Sequence, residues 1–167
     1  AAPPEQSLEW SDSGMEGAYR FLNKLWNFSI SIEDNIKKHP IEERISCDNL
    51  ENTDLQKKYQ NLHQILLQAN QDIEKNQLNT VVSAGMKLLN LIAKIETDDH
   101  QAWLIIHEGL SSLLRLLAPI TPHIAQTLWQ RLDYGDNIFQ AAWPKANMKA
   151  LQTSTMDLII QINGKKR

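Results

Sequence analysis

The run TDLQKKYQNLHQILLQANQDI, residues 53–73, decides the fold. Leu55, Tyr59, Leu62, Leu66, Ala69 and Ile73 recur in it at steps of four and three. That spacing lays one apolar stripe along a helix of 3.6 residues per turn. Thr53-Asp54-Leu55-Gln56 in front of it fits the capping-box pattern, so the helix is predicted to open there. A helix with one apolar face must bury it against others, and the neighbouring segments carry matching stripes.

Upstream, Ser13-Gly14-Met15-Glu16 is a second capping box. The stripe behind it runs Met15, Ala18, Leu22, Leu25, Ile32 and Ile36, with Ser29 interrupting. Tyr19, Phe21, Trp26 and Phe28 widen its apolar surface. Pro40 is expected to end that helix, because proline lacks the N–H and clashes with the preceding turn. Downstream, a helix from about Thr80 faces Val81, Gly85, Leu88, Ile92 and Ile95 one way, and Gly85 on that seam marks a close approach by another helix. Asp98 or Asp99 caps the next, with Trp103, Ile106, Leu110, Leu113 and Leu117 as its seam. Ala118-Pro119 ends it. Thr121-Pro122 starts a further helix, with threonine at the N-cap and proline at the first helical position. Ile124, Leu128, Trp129 and Leu132 face inward, and Gly135 is the expected left-handed stop.

The expected fold is all-α, an antiparallel bundle of four to five helices over residues 1–150. Ala142-Trp143-Pro144 suggests a loop laid over the bundle with its tryptophan tucked in. Residues 151–167 are expected to begin another domain: TMDLIIQI (155–162) is a strand candidate, and Asn163-Gly164 is a strong hairpin-turn signal. The returning arm would start at Lys165, and the chain stops at Arg167.

Composition narrows the functional classes. The chain has 167 residues, 42% hydrophobic and 22% charged, with net charge −3. No apolar run approaches the length needed to span a bilayer. A lone Cys47 allows no intramolecular disulfide, and the cytosol is the natural reading. Residues 33–54 hold seven acids against three bases, which leaves the rest of the chain at +1. A basic face is permitted but not demanded.

Catalytic and metal constellations are missing. His39, His63, His100, His107 and His123 form no H-E-x-x-H and no E-x-x-H, and there is no phosphate loop and no G-x-S-x-G. His100 and His107, seven apart, read as surface or boundary residues, and Cys47 as a bystander thiol. For RNA, the candidate contacts are Arg20 and Lys24, one turn apart on the first helix, and Lys57 and Lys58, which stand in the first turn of theirs against the helix dipole. Lys87 and Lys94 share a face of the third long helix. Each also has the plainer reading of a solvated surface cation. Trp26, Trp103 and Trp129 read as core; Trp10 lies outside the periodic helices.

Four ordered blocks carry a resemblance. Leu8-Glu9-Trp10-Ser11-Asp12-Ser13-Gly14-Met15-Glu16-Gly17-Ala18 with Arg20-Phe21-Leu22 and Trp26 is similar to the leucyl-tRNA synthetase segment leading out of the catalytic core. Leu117 to Ile124 with Leu128-Trp129 resembles that family's L-x-P-[FI]-TPHI…LW. Ala142-Trp143-Pro144 resembles its WP loop, and Ile160 to Arg167 its VQVNGK-x-R. His63, Asp72 and Asn79-Thr80 match scattered positions of a helix pair shared by class I synthetases. Gln64 and Ala69 depart from the family's more basic and hydroxyl-bearing choices.

The resemblance implies a bacterial-type, anticodon-binding domain that positions tRNA-Leu, supports the inner D-arm side and need not read the anticodon. It further implies partner catalytic and C-terminal domains in a parent enzyme that uses ATP and magnesium to charge tRNA with leucine. No cofactor or metal is expected within these residues. H-x-G-H and K-M-S-K-S do not occur here, nor does the editing domain, so the fragment alone is expected to be inactive. The alternative is a helical protein–protein interaction module, which predicts an exposed apolar patch and no tRNA affinity.

Overall fold

The computed structural model describes residues 12–39, 50, 52–96 and 99–152, and the backbone of 161–162 and 165–166. Its helices are α1 (Asp12–Ser31), α2 (Glu33–Lys38), α3 (Thr53–Glu74), α4 (Leu78–Ile92), α5 (His100–Leu117) and α6 (Pro122–Arg131). A short 3-10 turn follows at Ile138–Gln140, and β1 (Gln161–Ile162) pairs antiparallel with β2 (Lys165–Lys166). The rest of the expected 155–162 strand and the Asn163-Gly164 turn lie outside the described residues, as do Trp10, Cys47 and Asp98. Among the described residues no helix is long and apolar enough to cross a membrane.

The centre of the bundle is α5. It buries Ala102–His107, Gly109–Leu114, Leu116 and Leu117, which occupy every side of the helix. A helix apolar all round must be surrounded. Its contacts run to α2, α3, α4 and α6. The single seam from Trp103 to Leu117 understates this, because Ile105, Leu114 and Leu116 make a second apolar side. This placement also overturns the surface reading of His107, which is only 6% exposed, whereas His100 at the helix end is exposed.

Glycine sets how close α5 lies to its neighbours. A methyl added at Gly109 would stand 2.6 Å from Ile92 Cγ2 and 3.0 Å from Leu62 Cδ1, so α3, α4 and α5 meet at this point. At Gly85 it would stand 3.2 Å from Leu113 Cδ1, as its place on the seam predicts. Gly85 of α4 faces Leu113 and Leu117, while the later Ile92 faces the earlier Gly109, so the two helices run antiparallel.

Several helix ends differ from the sequence reading. The N-cap of α3 is Asn52, not Thr53: its backbone is extended, and Oδ1 accepts the N–H groups of Asp54 and Leu55. The helix expected to run to Pro40 breaks at Ile32. Ser31 Oγ donates to Phe28 O (2.8 Å), a local bond that competes with helix continuation. The break lets α1 lie against α6 while α2 turns onto α5. Ser29 does not interrupt the seam but is buried in it. Leu25, Ile32 and Ile36 are buried as expected, but the N-terminal half of the stripe is not: Met15 is 52% exposed, and Ala18 is open too.

The stop of α6 is Asp133 (φ 62°), not Gly135. Tyr134 N–H bonds Trp129 O and Asp133 N–H bonds Gln130 O, the paired bonds of a Schellman end. Asn76 (φ 58°) closes α3 the same way, and α4 starts at Leu78 rather than Thr80. Thr121 sits at the N-cap of α6, but its hydroxyl donates back to Leu117 O (3.3 Å) instead of capping.

The loop after α6 lies on the bundle as expected. Trp143 Nε1 donates to Asn70 Oδ1 (2.7 Å), and Arg115 donates to Ala142 O (2.8 Å). Asn147 N–H donates to Nδ1 of the fully buried His63 (3.2 Å), so the proton of the neutral ring sits on Nε2, 3.4 Å from Glu108 Oε1. Burial holds His63 down at about 4, and His107 likewise at about 4.

Three outcomes are expected. Gly109→Ala lowers the unfolding free energy by about 1–3 kcal/mol in urea titration, since Ile92 Cγ2 is fixed to a stiff β-branched carbon and cannot swing aside. Gly17→Ala, with nothing within 4 Å of the added carbon, raises it by about 0.5–1 kcal/mol. For the two histidines, the unfolded rings bind protons near 6.5 and the folded ones only near 4, so stability is full above pH 6.5 and falls as pH drops toward 4. The loss reaches about 3 kcal/mol per ring. Urea midpoints taken from pH 7.5 to 4.5 should show it, with a shallower fall in His107→Gln; a flat profile contradicts the neutral burial.

Candidate nucleic-acid interface

The helix α4, LNTVVSAGMKLLNLI, contains no acidic residue. Its inner face buries Val81, Ala84, Gly85, Leu88, Leu89 and Ile92. Ser83, Lys87 and Asn90 line the opposite, exposed face, and Lys94 continues it in the turn that follows.

The flanking helices add cations on both sides. From α1, Lys24 Nζ donates to Asn90 Oδ1 (2.6 Å), with Arg20 exposed one turn earlier. From α3, Lys58 Nζ donates to Lys94 O (3.3 Å). Lys57 is exposed on the outer stripe of α3, spaced at helical steps from Asn61, Gln64 and Gln68. Gln64 and Gln68 form one wall of a cleft of about 540 Å³ whose other wall is Thr80, Ser83 and Lys87. Arg20, Lys24 and Lys58 therefore come together at the edges of the α4 face that carries Lys87 and Lys94, while Lys57 stands exposed on the outer stripe of α3. The sequence placed Lys87 and Lys94 on one face but carried no sign that α1 and α3 flank it.

The candidates are not equivalent. Lys58 pairs with Asp54 (2.6 Å) and sits at the carbonyl end of α4, a favourable place for a cation. Those two contacts offset the dipole penalty that singled it out, and much of its charge is used inside the fold. Lys24 is held by a neutral amide and keeps its charge for an outside partner. The acid in the cleft, Asp72, is 6% exposed and accepts from Gln68 Nε2 (2.8 Å), so it is turned inward. Such a surface offers point charges and neutral donors, which suits contacts to phosphate and ribose rather than catalysis.

Elsewhere, His39 lies flat on Trp103 (5.9 Å between ring centres, 8°), with its Nδ1 3.3 Å from that of His100. This contact ties α2 to α5. No group of three or more His, Cys, Asp or Glu suited to a metal occurs among the described residues.

Comparison with known proteins adds three findings. A family model described as the anticodon-binding domain of tRNA ligase matches residues 57–167. The whole chain is 52% identical to leucine–tRNA ligase of Coxiella burnetii (strain CbuK_Q154), covering 20% of it, and 47% identical to leucine–tRNA ligase of Legionella pneumophila (strain Corby), covering 21%. The fold is similar to that in the crystal structure of an Agrobacterium radiobacter K84 agnB2 LeuRS-tRNA-LeuAMS ternary complex, at TM-score 0.79 and 24% identity, over 96% of this chain and 20% of that one. The chain thus spans about a fifth of the length of the curated relatives it matches.

The different employment of the lysines is measurable. Lys87→Ala should leave the unfolding free energy within about 0.5 kcal/mol of the parent value. Lys58→Ala should lower it by about 0.5–1 kcal/mol, through loss of the Asp54 pair and of the α4 carbonyl contact, with the pair's share screened by salt.

Proposed function

The chain belongs to the family of anticodon-binding domains of tRNA ligases, and from that premise we propose that it positions tRNA-Leu for a leucine–tRNA ligase of which it is one domain. The observation that carries the contact surface is the meeting of Arg20, Lys24, Lys58, Lys87 and Lys94 on and beside the acid-free face of α4, with Lys57 exposed on the outer stripe of α3. Lys87, Lys94, Arg20 and Lys57 supply the charge to phosphates, and Lys24 joins them from its seat on Asn90. Lys58 mainly holds α3 against the end of α4.

Contacts of this kind orient an RNA without reading its bases. They suit a domain that supports the inner side of tRNA and leaves the anticodon unread. An overall charge of −3 fits such a local cationic face better than non-specific coating of RNA. The whole enzyme's chemistry, activation of leucine with ATP and magnesium and its transfer to tRNA, belongs to catalytic and C-terminal partner domains in the cytoplasm. The 167 residues contain neither H-x-G-H nor K-M-S-K-S and are expected to charge no tRNA.

Fluorescence anisotropy with labelled tRNA-Leu tests the reading. Binding should be weak and should fall linearly on a log–log plot as salt rises. Lys87→Ala and Lys94→Ala should each reduce that slope by about 1, whereas replacing the anticodon triplet should leave affinity unchanged. Salt-insensitive binding, or binding that follows the anticodon, overturns it.

A further inference from the structure

Where the end of α2 meets the start of α5, two imidazoles face each other. His39 Nδ1 and His100 Nδ1 lie 3.3 Å apart, although the residues are 61 positions apart in the chain. Neither ring belongs to the cationic face of α4 or to the buried contacts around His63. Both stand on fixed backbone. His39 is the C-cap of α2, where its N–H bonds Asn35 O and Ile36 O. His100 is the first residue of α5, behind Asp99, whose Oδ1 accepts the Gln101 N–H (3.0 Å). One side of the His39 ring is covered by the buried Trp103, stacked on it at 5.9 Å and 8°. His100 is exposed, so the pair opens to solvent.

We propose that His39 and His100 are the two protein ligands of a divalent transition-metal site, zinc above all, that clasps α2 to α5. Zinc binds imidazole nitrogen at about 2.0–2.1 Å in tetrahedral geometry, which sets two such nitrogens about 3.3–3.4 Å apart. The 3.3 Å between the two Nδ1 atoms matches that spacing before any ion is present. Imidazole nitrogens select zinc or copper over magnesium and calcium, which take oxygen ligands. Water fills the remaining coordination positions on the open side of His100. Among the described residues no group of three or more His, Cys, Asp or Glu is placed to hold a metal, so this is an exchangeable site and not a closed structural zinc centre.

Without metal, the same spacing serves a hydrogen bond between opposite tautomers, one Nδ1–H donating to the other ring. The ion replaces that proton and bridges the same two atoms. The surrounding charge permits it. Lys37 is committed to Glu33 (2.8 Å), and the exposed Lys38 that precedes His39 is matched in sign by the exposed Asp99 that precedes His100. The pair lies at the carbonyl end of α2, the favourable end for a cation, and the amino end of α5 carries the Asp99 carboxylate as its cap. The proposal stands apart from the tRNA reading. Its consequence is mechanical: the metal holds α2, the short helix set off by the break at Ile32, onto the central helix of the bundle.

Calorimetric titration with zinc chloride tests the site. The 167-residue chain carries Cys47→Ser, which removes the thiol as a competing metal ligand. One zinc should bind per chain and raise the urea midpoint, because the metal binds the folded form. His100→Gln should weaken zinc at least about tenfold. Its urea midpoint without zinc should stay close to that of the parent, since His100 is exposed, so the loss is not one of folding. His39→Gln should weaken zinc as much, and His123→Gln, at an exposed position on α6, should bind like the parent. Magnesium chloride should neither bind nor compete. In NMR spectra zinc should shift the ring signals of His39 and His100 and leave those of the buried His63 and His107 in place. Absence of zinc binding overturns the proposal, as does binding that survives both substitutions or falls equally in His123→Gln. Ring shifts centred on another histidine overturn it as well.

Discussion

Everything in this bundle depends on how closely α4 lies against α5. The approach is set where Gly109 meets Ile92 and Leu62, and where Gly85 meets Leu113 and Leu117. Glycine costs about 1 kcal/mol against alanine inside a helix, and here that cost allows helix backbones to come within side-chain contact of each other. The approach makes α5 a central rod rather than one wall of a bundle. Its buried serines and histidine follow from that position, as does the pinning of the loop after α6, which Arg115 reaches from α5 itself.

The proposed contact surface is the outer side of the same packing. A helix whose inner face is committed to α5 must present its other face to solvent, and on α4 that face is free of acids. Because α3 packs along α4 and α1 reaches it through a side chain, lysines arrive at both its edges, Lys24 on Asn90 and Lys58 on Lys94 O. Some of these lysines are used inside the fold and others face solvent. Lys58 shows the first use, with its carboxylate partner and helix-end carbonyl, and Lys87 the second.

Much of this was legible in the linear pattern. The six-residue stripe of α3 was read in register, with its first five members buried and Ile73 half-buried. The close approach at Gly85, the tucked Trp143 and the Pro122 start of α6 are equally local signals. Sequence and structure differ where a local signal has a nearby competitor. Asn52 displaced Thr53 as cap because it is extended and reaches two N–H groups, and Asp133 displaced Gly135 because an aspartate also tolerates the left-handed region. The burial of His107 is not legible in the sequence, because its own helix neighbours say nothing about what packs on the far side.

By itself, the sequence determined the helices, their inner stripes and the family blocks, because periodicity, capping chemistry and proline act within a few residues. Only the tertiary structure decided that α5 is surrounded, that the two halves of α1 differ in exposure, and that cations from three helices share one face. Those facts depend on which helix lies beside which. Side chains far apart in sequence meet only after the backbones have packed, and no local spacing encodes that meeting.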